Sequence, residues 1–202
     1  MHRLASLLVL SLAGIACHPR VPEAAPATKT TPAKSRTTTS GFVMALPGSD
    51  EIKGLARSNN AFGLDLFAKL RAQKGNLALS PLSLATALTM TWAGARGETA
   101  EQMKKVLHQS GTIEQALDLN SKLLASYQDP ELKVTLRVAN RLFVEKTYAV
   151  NPSYLDITKA TFGAPFEAMD FQHDADASRQ HINAWIASAT QERIKDLLPP
   201  QA

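Results

Sequence analysis

The chain has 202 residues, 45% of them hydrophobic and 20% charged, with a net charge of +4. Its single cysteine, Cys17, rules out an internal disulfide framework, so any fold must rest on a large apolar core. The charge excess is confined to the first 40 residues, where Arg3, Arg20, Lys29, Lys34 and Arg36 face only Glu23. Residues 41–202 therefore carry 17 basic and 17 acidic side chains, which excludes a basic footprint for nucleic acid.

In chain order, the first segment expected is an export signal over residues 1–16. His2 and Arg3 precede an apolar run from Leu4 to Ile15, which is too short to span a bilayer. Cys17 follows it, and Gly14-Ile15-Ala16-Cys17 resembles the lipobox of bacterial lipoproteins, with glycine where leucine is usual. That places a lipid anchor on Cys17; the alternatives are ordinary secretion with cleavage nearby, or an uncleaved anchor. Residues 17–45, rich in Pro, Ala and Thr, read as a semi-extended tether. The folding part is expected over residues 46–202.

Asn59 to Leu70 predicts an amphipathic helix with Phe62, Leu66, Phe67 and Leu70 on one face. Leu77 to Leu79 is a short strand or extended link. Ser80 then caps a helix with Pro81 at its first position. From Leu82 to Ala93 that helix has no charge, so most of its circumference is expected to be buried. Ser83, Thr86, Thr89 and Thr91 then need partners, the simplest being their own helix carbonyls. Gly94 and Gly97 end the helix. Thr99 with Gln102, and Thr112 with Gln115, have the spacing of capping boxes for helices over 99–107 and 112–127. The stripe of the second is Ile113, Ala116, Leu117, Asn120 and Leu124.

After a turn at Asp129-Pro130, Leu132, Val134, Leu136 and Val138 alternate with polar residues. They predict a strand with one buried face running on to Val144, about 13 residues against a usual 5–6. Asn151-Pro152 starts a helix bearing Tyr154, Leu155 and Thr158. Phe166 to Met169 is a short strand. Ser178 to Ala189 is a helix with Ile182, Trp185, Ile186 and Ala189 on one face. So few strands leave an edge of the long one unpaired, and the chain is expected to be the N-terminal piece of a longer α+β protein.

Four runs taken together resemble the serpins, the suicide inhibitors of serine proteases. They are Asn60-Ala-Phe62-Gly-Leu-Asp-Leu-Phe67; the block from Asn76 to Gln102; Ala139-Asn140-Arg-Leu142-Phe143-Val144 with Tyr154-Leu155 and Met169-Asp170-Phe171; and Ile182-Asn183-Ala-Trp185-Ile186 on to Ile194-Lys195-Asp196-Leu197-Leu198-Pro199. The resemblance spans about residues 56–199 and implies the family's helices A to F with the first strands of its central sheet, the C-terminal half being absent. It further implies a monomeric inhibitor whose reactive loop, outside these residues, is cut by a target serine (or cysteine) protease and inserts into the sheet. By the same resemblance Ser80, Ser83, Leu88, Asn183 and Trp185 belong to the shutter, where the sheet parts. Ser83 and Asn183 are expected to be members of one polar network beneath it. Tyr154 stands where the family commonly has phenylalanine, Pro165 where it often has glutamate, and Glu192-Arg193 where a Gly-Lys pair is common.

No catalytic residue, metal ligand set or cofactor is expected. His173 near Asp174 and Asp176 lacks a second His or Cys at ligand spacing, and neither Ser80 nor Ser83 sits in a nucleophile elbow. A non-inhibitory serpin, binding at the cell surface or acting as a chaperone, is the competing reading.

Overall fold

The computed structural model describes residues 7–16, 50–128 and 135–200, the first of these stretches as backbone. Cys17 and the expected tether lie outside the described residues.

Helix α1 runs from Asp50 to Leu70, nine residues earlier than the apolar stripe alone predicts. Ile52 and Leu55 on the added turns are buried and pack with Leu123, so the start is anchored by the core. Phe62 is buried, but Phe67 is 49% exposed, which removes it from the expected face. Helix α2 (Pro81–Gly94) begins as predicted at Ser80, whose side chain accepts from Ser83 N–H. Ala85, Thr86, Thr89, Met90, Trp92 and Ala93 are buried along it, as an uncharged helix requires.

Helix α3 (Gly97–Val106) departs from expectation. Gly97, at φ +58°, turns the chain so early that Thr99 falls inside the helix, and no side chain caps it. Gln102 instead bonds Glu98 at 2.9 Å. Helix α4 (Ile113–Ser126) carries the capping box of Thr112 and Gln115 as predicted.

The strands form one sheet in the order β1-β2-β3, with β1 over Leu7–Ala16, β2 over Thr135–Glu145 and β3 over Phe166–Met169. β1 is the segment expected to stand outside the fold. It pairs antiparallel with β2 from Leu7 opposite Val144 to Ala16 opposite Thr135, while β3 pairs parallel on the other side. The expected open edge of β2 is thus filled, because an apolar run of matching length meets a row of unpaired backbone groups. A second correction concerns β2 itself. Leu142, Phe143 and Val144 are all buried, so its C-terminal half is covered on both faces rather than one. Phe143 joins Met169, Ile182 and Ile186 on one face, and Val138 packs with Met90, Leu124, Phe162 and Ala164 on the other.

Helix α5 (Pro152–Phe162) starts at the Asn151 cap and stops at Gly163 in the left-handed region. Helix α6 (Ala175–Ala189) is capped by Asp174, three residues ahead of the predicted start, and lies across β2 and β3.

Candidate functional site

The N-terminus of α2 is built from a local pair. Ser80 Oγ accepts from Ser83 N–H at 3.3 Å, and the two hydroxyl oxygens are 2.9 Å apart. Pro81 is pressed against α1: a Cβ added at Gly63 would lie 2.8 Å from the proline ring. Leu88 packs against the cluster of Phe62, Ala85, Trp92, Leu107 and Ala116. Thr91 returns its hydroxyl to the Ala87 carbonyl at 3.0 Å, the back-bond expected of it. Tyr154, in place of phenylalanine, donates its hydroxyl to the Met90 carbonyl at 3.2 Å, and burial raises the pKa of that phenol. α5 is thereby fastened to α2 by a bond phenylalanine could not make.

The second station is on α6. Asn183 donates through Nδ2 to the Leu198 carbonyl and accepts from Leu198 N–H, both at 2.9 Å. Arg179 adds a bond to the same carbonyl at 3.3 Å. Between these anchors the chain passes through Gln191, Glu192 and Asp196, all at positive φ. Trp185 stands edge-on to Phe143 with ring centroids 5.6 Å apart. The Arg141 guanidinium lies 5.5 Å from the centre of the Trp185 ring and 5.9 Å from that of Phe143.

The structure therefore brings Ser80 to Ser83 and Trp185 to Phe143, but does not bring Asn183 to the serines. The single network expected of Ser83 and Asn183 is two separate stations, each satisfied locally. The reason is geometric: the Ser80 cap uses Ser83, and Leu198 uses both ends of the Asn183 amide.

Three charged positions escaped the sequence reading. Glu145, though only 4% exposed, accepts from the Thr147 N–H and hydroxyl and from the Gln172 N–H, tying the ends of β2 and β3 together. Asp170 holds Lys146 Nζ at 2.6 Å and both the ring and the N–H of His173 at 3.0 Å. Lys146 is the main cause, with His173 adding to it, of a carboxyl pKa lowered to about 2. Glu167 pairs with Arg141 at 3.1 Å and His181 at 2.7 Å. An acidic residue closing an apolar strand was the only signal, and it names no partner.

The chemistry available is that of fastening. His108, His173 and His181 pair with Asp65, Asp170 and Glu167 respectively, and among the described residues no serine hydroxyl bonds to any of the three rings.

The serpin family, described as serine protease inhibitor, matches residues 57–202. The chain belongs to the serpin family. Human leukocyte elastase inhibitor is 37% identical over 146 residues, covering 71% of this chain and 38% of that protein. Human Serpin B3 is 35% identical, covering 73% and 42%. Among solved structures, emu ovalbumin superposes with a TM-score of 0.67 at 30% identity, covering 73% of this serpin chain and 42% of its own. Serpin48 of the insect Tenebrio molitor gives 0.66 at 32%, covering 76% and 42%. The chain spans about two fifths of the length of the relatives it matches, and its helices with a short sheet are an N-terminal serpin portion.

Proposed function

We propose that this chain is the N-terminal part of a serpin that traps serine proteases by inserting its cut reactive loop into the central sheet, catalysing nothing itself. The observation that carries the reading is the family match over residues 57–202 on a fold whose α2 and α6 face opposite sides of one long strand. In that reading Ser80, Ser83 and Leu88 form the hinge side of the shutter, and Asn183 and Trp185 act on the α6 side. Leukocyte elastase inhibitor, by its name, acts on an elastase. The target here is set by a loop outside these residues.

The test is to express the reading frame continued past Ala202 and incubate it with trypsin-like, chymotrypsin-like and elastase-like proteases. A covalent complex that survives SDS with one of them is expected. Cleavage of the loop without such a complex, for every protease tried, overturns inhibition in favour of a binding role.

We further propose export through residues 1–16 and attachment to the cell envelope by acylation of Cys17, with residues 17–45 as the spacer; the exported form then lacks β1, and the β2 edge that β1 fills in the uncleaved chain is open. Radiolabelled palmitate should enter the wild-type chain and not the Cys17→Ala variant. Equal labelling of the two removes the anchor.

A further inference from the structure

Glu167 on β3 is shared by a guanidinium and an imidazole from different elements. Arg141 Nη1 on β2 lies 3.1 Å from one oxygen, and His181 Nε2 on α6 lies 2.7 Å from the other. The two ends of this chain are held unequally. Arg141 is about a quarter exposed and sits against Phe143 and Trp185, so the sheet and the rings fix it whatever the pH. The His181 side chain is 51% exposed, and imidazole is the side-chain type whose charge answers to pH in the physiological range. His181 stands one turn before Trp185, on the helix that covers the buried Phe143.

We propose that His181 and Glu167 form a proton-operated latch that fastens α6 to β3, tight when the imidazole is charged and loose when it is neutral. A charged His181 completes an ion pair with a carboxylate that is only 27% exposed; a neutral one forfeits that charge attraction. The charged groups facing His181 are Glu167 from β3 and, behind that carboxylate, Arg141 from β2. On α6 itself Arg179 is occupied by Asp176. At the N-terminal side of α6 the His173–Asp170 pair is a second imidazole–carboxylate contact, but it closes a loop and does not reach across to β3. Sheet opening beneath α6 belongs to the inhibitory reading above, and the latch would make such opening easier as pH rises. The latch rests on that reading only for its biological use, since the contact exists in the chain as it stands.

The test is hydrogen exchange of the 202-residue chain by mass spectrometry at pH about 5 and about 8. Rates are corrected for the intrinsic pH dependence, and α4 serves as internal reference. The protection of α6 relative to α4 should fall about 1.4- to fivefold from the lower to the higher pH, the range measured for exposed ion pairs. That fall should vanish in His181→Gln and in Glu167→Gln. His181→Arg, a permanent cation, should hold the higher protection at both values. Coincident pH profiles for the wild type and His181→Gln overturn the proposal, as does a fall that survives in His181→Arg. No protease enters the measurement, so its failure is distinct from a failure of the inhibitor reading.

Discussion

Asn183 spends its whole side-chain amide on the backbone of one residue fifteen positions away. Replacing it with alanine leaves the Leu198 N–H and carbonyl without these partners, and the expected loss is about 1–3 kcal/mol. Urea denaturation of the Asn183→Ala chain measures it; an unchanged midpoint would mean that water replaces the amide at no cost. Asp170 gives a pH prediction. Its folded pKa of about 2 lies below the ordinary 3.8, chiefly through Lys146. A depressed carboxyl stabilises the fold above its ordinary value and loses that contribution as pH falls through the folded one. Between pH 4 and pH 2 the wild type should therefore lose stability that the Asp170→Asn variant has already lost, narrowing the gap between their melting temperatures. A constant gap over that window would show that the Lys146 pair does not persist in solution.

Elements cross closely where glycine permits it. Gly63 on α1 leaves no room for a methyl group beside Pro81 of α2, the contact being 2.8 Å. A helix interior by itself prefers alanine to glycine by about 1 kcal/mol. Overpacking costs about 1–3 kcal/mol. Gly63→Ala should therefore lower stability by about 0–2 kcal/mol, the crossing outweighing the helix preference; a gain in the denaturation midpoint would show that α1 and α2 separate easily. The caps at Ser80, Thr112 and Asn151 were legible in the sequence because a cap is made within four residues. The box at Thr99 failed because Gly97 had already turned the chain. Burial of both faces of β2 was not legible, since the second cover, α6, comes from thirty residues further on and strict alternation stops at Ala139. The serine pair could be read from Ser80-Pro81-x-Ser83, whereas the partner of Asn183 could not: the signal for an amide bonding a distant backbone has no spacing.

The molecule as a whole is a sheet with two unlike coverings: α2 and α4 on one side, held by apolar packing, and α6 on the other, held by Phe143 and its neighbours plus a rim of ion pairs. The chain spans 38–42% of the relatives' lengths, and by the inhibitory reading the bait lies in the remainder. The 202-residue chain alone, mixed with the three classes of protease, should give no complex that survives SDS. One such complex would sink both the loop's position and the mechanism.

Glu192 occupies the left-handed region at φ +60°, a conformation that favours glycine, and Gln191 and Asp196 share that hand. Each side chain there works against its own Cβ by roughly 1–2 kcal/mol. A glycine kink belongs to the segment that contains it, but this one is on loan: α6 holds it in shape through Asn183 and Arg179 at Leu198. Lender and borrower cannot part independently. Because these bonds tie Leu198 to α6 itself, any motion that lifts α6 from the sheet carries the bent stretch with it, so in this chain the helix and the run after it should travel as a single lever.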